Sequence, residues 1–108
     1  MALRRAPERA EYLYWHGAVL GDLGRHREAL RSIESALRVL TSDETWMIED
    51  LFYEKATLLD ALGLPEAAIR ACEQGLVHCP GSALLRAALA PAERARVRSS
   101  LVVLRGGR

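Results

Sequence analysis

Gly24-Arg25-His26-Arg27-Glu28-Ala29-Leu30 returns, slightly varied, as Gly63-Leu64-Pro65-Glu66-Ala67-Ala68-Ile69, and the two copies start 39 residues apart. Each opens on a glycine able to take the left-handed backbone that ends a helix. Each then supplies Glu-Ala and a large aliphatic residue, the start of a second helical face. Both copies sit between helix-length stretches, so the chain reads as a succession of helix, tight turn and helix.

The flanking stretches agree. Residues 8–23 place apolar or small side chains at Ala10, Leu13, Gly17, Leu20 and Leu23, a 3.6-residue rhythm. Pro7 suits the first turn of that helix. A second helix is expected over about 26–40, with Ala29, Leu30, Ile33, Ala36, Leu37 and Leu40 inward. Thr41 and Glu44 have capping-box spacing, with Ser42 or Asp43 as alternative caps. A third helix carries Trp46, Phe52, Ala56 and Leu59 to about Leu62, and a fourth runs from Pro65 to about Cys79, closed by Pro80-Gly81. Leu84, Leu85 and Leu89 then suggest a capping helix, which Pro91 is expected to interrupt because it has no amide donor and clashes with the preceding turn. Val97, Leu101, Val102 and Leu104 mark a last amphipathic helix.

On these residues the chain resembles the tetratricopeptide repeat family, whose pattern is an aromatic, a Leu-Gly pair, a tyrosine, then Ala, Phe and a closing Pro. The first repeat holds Leu13, His16-Gly17, Leu20, Ala29, Ile33 and Thr41 at those places; the second holds Phe52, Lys55-Ala56, Leu59, Ala68, Cys72 and Pro80. Gly17, Ala29, Ala36, Ala56, Ala68 and Gly75 are the small residues that let helices approach closely. The pattern's leucine is replaced by His16 and Lys55. The second interval also carries five extra residues, read as a longer third helix beginning near Asp43. A third trace, Ala2 to Pro7, lies 34 residues before Ala36 to Thr41 and reads as the tail of an earlier hairpin. The resemblance implies an all-α fold of antiparallel helical hairpins stacked as a short right-handed solenoid. Its units are a preceding-repeat end or N-terminal extension (1–7), a first repeat (8–41), a longer second repeat (42–80) and C-terminal capping helices and tail (81–108).

Composition narrows the function classes. Half of the 108 residues are hydrophobic, with few glycines and prolines, as a small folded domain requires. No apolar run approaches the roughly 18–20 residues of a membrane span, and the first residues lack the apolar centre of a secretory signal. A cytoplasmic protein is expected. Cys72 and Cys79, seven apart on one helix, stand about 10 Å apart along the axis and too far for a disulfide. Arginine outnumbers lysine fourteen to one, the bias of a GC-rich, bacterial-like genome. The net charge of +1 hides an uneven distribution: −6 over residues 11–80, +5 over 81–108 and +2 over 1–10. Such asymmetry bears on association rather than fold.

No constellation for catalysis assembles. The histidines and cysteines lack paired short spacings for zinc, and no glycine-rich phosphate loop is present. The expectation is a non-enzyme with no cofactor or metal. The arginines after residue 93 scatter around a helix, so nucleic acid is a poor fit beside the acidic middle. The resemblance implies that the first helix of each hairpin lines a concave groove: Glu11, Tyr14, Trp15, Ala18 and Asp22, then Asp50, Tyr53, Glu54, Thr57 and Asp60. Trp46, one turn before Asp50, adds an aromatic to the same face. Aromatics supply contact area and carboxylates attract Arg or Lys, so the expected ligand is a basic peptide or helix of a partner protein. The competing expectation is that Trp15 and Trp46 pack against neighbouring helices while the carboxylates are simply solvated. Where one subclass of the family clamps a C-terminal carboxylate with Lys and Asn, this chain has Tyr14, Ala18, Tyr53 and Thr57. That clamp is missing. The remaining readings are self-association through the basic last helix and its strip Val97, Leu101 and Leu104, and a sensor or regulatory piece of a larger protein.

Overall fold

The computed structural model describes the backbone of residues 9–106 and the side chains of residues 9–98, and every described element is helical. The helices are α1 (Ala10–Asp22), α2 (His26–Val39), α3 (Ile48–Ala61), α4 (Pro65–His78) and α5 (Ala83–Gly106), with a 3-10 segment at Ser42–Met47. The expected helix start at Pro7, the trace Ala2 to Pro7 and the side chains of Leu101, Val102 and Leu104 lie outside these described parts.

The two glycine turns are built alike. Gly24 has φ 81° and Gly63 has φ 77°. In the first, the Arg25 amide donates to the Leu20 carbonyl at 2.9 Å and the Gly24 amide to Gly21 at 3.0 Å. In the second, Leu64 donates to Leu59 at 2.9 Å and Gly63 to Asp60 at 3.0 Å. This paired closure satisfies carbonyls that a helix end would otherwise leave bare. Each turn folds the next helix back along its predecessor, so α1 packs on α2 and α3 on α4. Consecutive pairs meet through α2–α3 and α4–α5, and α3 also touches α1 and α5. The molecule measures 61 × 30 × 18 Å, and its shortest dimension is about two helix diameters.

Two cores share α3. The first joins Ala10, Leu20, Ile33 and Met47 to Leu51 and Leu58; the second joins Ala56 and Leu59 to Ala68, Ile69, Cys72 and Ala92. The six small residues singled out above are all buried. A methyl on Gly17 would stand 2.7 Å from Ile33 Cδ1, and one on Gly75 would stand 2.7 Å from Leu85 Cδ1 and 2.8 Å from Phe52 Cβ. Ser32 is buried at the same α1–α2 contact and donates its hydroxyl to the Leu13 carbonyl at 2.8 Å.

Three expectations are corrected. The third helix does not begin near Asp43. The Thr41 amide and hydroxyl both donate to Glu44 Oε1 at 3.1 Å, as a cap, and start a 3-10 segment in which Glu44 has φ −109° and ψ 18°. That tighter winding seats Met47 in the core before α3 starts. Pro91 does not interrupt: α5 runs through it for 24 residues. The proline costs one hydrogen bond on an exposed face, while Leu85 and Ala92 on the opposite face stay buried. Leu23, assigned to the inner rhythm, is 65% exposed because it is the C-cap of α1 and turns outward.

The two substituted pattern positions are accommodated at the surface. His16 is exposed and stacks on Tyr12, with centroids 5.8 Å apart. Lys55 is half-buried and reaches Glu34 of α2 at 3.8 Å. Cys72 is buried where the pattern has Phe.

Candidate ligand groove

The face shared by α1, α3 and α5 gathers most of the expected residues. Tyr14 on α1 is half-buried, and its hydroxyl is pushed above the usual phenol pKa by burial first, then by the charges of Asp50 and Glu54 on α3. The Glu54 carboxyl is likewise raised, by burial first, then by Asp22 of α1 and Asp50. Across the contact of α1 with α3, Asp50 and Glu54 thus act on Tyr14, and Asp22 acts on Glu54. Crowded carboxylates on partly desolvated ground favour a cation there.

Trp15 lies edge-on to Tyr14, with centroids 5.1 Å apart and planes at 64°. It is 59% exposed, so it does not pack into a neighbouring helix. Glu11 is exposed beside it and Ala18 half-buried one turn on. Trp46 is 66% exposed but belongs to the 3-10 segment, so the helical spacing that set it one turn before Asp50 does not hold.

The other half of the face is a cleft of about 260 Å³ between α3 and α5. Tyr53, Thr57 and Asp60 form one wall; Ala87, Ala88 and Pro91 form the other. The Thr57 hydroxyl donates to the Tyr53 carbonyl at 2.9 Å, which leaves its oxygen to the cleft only as an acceptor. The α5 wall was missed in the sequence because alanines mark no face by themselves. A signal was present all the same: Leu85, Ala88, Leu89, Ala92 and Ala95 keep the helical rhythm straight through Pro91.

The only Lys or Arg of α1 and α3 is Lys55. It lines a different recess with Leu37, Phe52 and His78 and pairs with Glu34, away from this face. The start of α5 is pinned beside α3: Ser82, buried, accepts the Leu85 amide at 3.0 Å and donates to the Glu49 carboxylate. Among the described residues no three His, Cys, Asp or Glu side chains are grouped to hold a metal, and no helix is long and apolar enough to cross a membrane.

No family model, curated protein or solved structure matches the chain.

Proposed function

We propose that the chain is a non-catalytic interaction module, a scaffold or adaptor in the cytoplasm. On this reading its helical hairpins stack as a short right-handed solenoid of the tetratricopeptide kind and hold a basic peptide or helix of a partner. The observation that carries the reading is the junction of Tyr14 and Asp22 with Asp50 and Glu54, a partly desolvated acidic spot beside an exposed tryptophan. Cations are the ligands such a spot attracts, and aromatic faces add to the attraction. The test is the double change Tyr53→Ala, Asp50→Asn. Affinity for basic partners falls by at least about tenfold, the equivalent of about 1.4 kcal/mol, while the chain stays folded by its helical spectrum. Retention of every partner by that variant rejects the groove.

Self-association is favoured by a separate observation. Tyr12, Trp15, Val19 and Leu23 follow one another at spacings of three and four residues, and each is half or more exposed. The matching surface on a second copy is the exposed stripe of α5 away from the cleft, where small Ala83 and Ala90 lie among Arg86 and Arg94. A bulky stripe edged by Glu11 and Asp22 complements a flat, basic one. Solution mass decides this reading, because a strictly monomeric chain at high concentration rejects it.

A further inference from the structure

We propose that the cleft between α3 and α5 is an arginine pocket, which takes one guanidinium side chain of the bound basic segment. This rests on the groove reading above and adds to it a defined anchoring position.

Size comes first. At about 260 Å³ the cleft is smaller than the roughly 300–1,000 Å³ of pockets for small-molecule ligands, and it suits a single side chain. Its lining then selects the chemistry. Ala56, nearly fully buried, forms an apolar floor, and Leu84 with Ala88 extends it along α5. Such a surface takes the methylene stem of a long side chain.

Of the polar side chains around that floor, Asp60 and Thr57 act as acceptors, and the Tyr53 phenol can accept as well as donate. Asp60 offers a carboxylate, and neither ion pair found among the described residues uses it. Thr57 has already spent its hydrogen on the Tyr53 carbonyl. Pro91 has no amide for the carbonyl of Ala87, four residues earlier, and both residues line the cleft. A helix carbonyl without its amide seeks another donor.

Acceptors around an apolar slot call for a ligand group made of donors. Arginine has five N–H donors in a planar fork and no acceptor, and its plane can lie against the Tyr53 ring. A carboxylate or phosphate would meet the like charge of Asp60. The feature that seemed a helix-breaker is thereby part of the site.

The test is a titration of the isotopically labelled chain, followed by amide chemical shifts, with N-acetyl-arginine methylamide and its neutral isostere N-acetyl-citrulline methylamide. The expected result is shifts centred on Thr57, Asp60, Ala87 and Ala88, with arginine binding at least about tenfold tighter than citrulline. Ala87→Leu, at an exposed position, fills the slot and removes that preference while the rest of the spectrum is unmoved. Equal binding of the two probes, or a preference that survives Ala87→Leu, overturns the pocket. A nona-lysine peptide separates the two levels. If wild-type chain binds it but shows no arginine preference, the pocket alone falls; if it binds neither peptide nor probe, the groove falls too.

Discussion

A single glycine shows how tightly the residues are set. Gly75 faces Phe52 Cβ and Leu85 Cδ1 at distances a methyl group cannot share. Gly75→Ala gains about 1 kcal/mol of helix propensity but overpacks a contact whose Phe52 atom is next to the backbone and cannot swing aside, a cost of about 1–3 kcal/mol. The expected net is a loss of up to about 2 kcal/mol, read as a lower melting temperature. Gly81→Ala is the control: open space surrounds it and its φ is unremarkable, so it changes stability by less than about 0.5 kcal/mol. Equal melts for the two variants would contradict the packing given for Gly75. The small residues were legible because their requirement is local and steric: each sits where a helical rhythm needs a near approach. His16 and Lys55 were not, since their flexible side chains reach the surface from positions where the pattern has leucine.

At the scale of elements, α1, α2 and α4 were legible from glycine, proline and apolar period together. The structure departs from that reading where a local rule met a tertiary one. Pro91 argues for a break, yet packing of Leu85 and Ala92 keeps α5 continuous across it. The five extra residues before α3 suggest a longer α-helix, but the Thr41–Glu44 cap winds them into 3-10. Helix α1 also carries the prediction on self-association. Its exposed stripe of Tyr12, Trp15, Val19 and Leu23 is a row of bulky side chains on one side of the helix, the kind of surface at which association occurs. Light scattering is expected to show a concentration-dependent mass above 12.0 kDa. Val19→Asp, exposed and clear of both cores, returns the mass to the monomer without altering the helical spectrum.

Across the whole molecule, α3 belongs to both cores, so the two helical pairs are expected to unfold as one unit. Its acidic side sets the pH response. Burial, then Asp22 and Asp50, raise the Glu54 pKa, so the folded chain holds that proton more readily than the unfolded one. The stability tied to this group is therefore greatest below the ordinary carboxylate pKa and declines as pH climbs through the raised value. Glu54→Gln is expected to melt higher than wild type at pH 7, and the gain should vanish once the medium is acidic enough to protonate both states. A variant that melts lower at neutral pH would refute this account of the junction. The candidate face was half legible: its carboxylates and aromatics stand out by type and spacing, whereas the alanine wall of α5 had to be seen in place.

The crowding of negative charge around Tyr14 has a cost that a cationic partner of the kind proposed above would relieve. Such a partner would also add its own binding free energy to the folded state. Small gains of that kind alter how much of a protein survives cellular proteolysis. Supply of the partner would then govern turnover, with unaccompanied copies cleared first and accompanied ones spared.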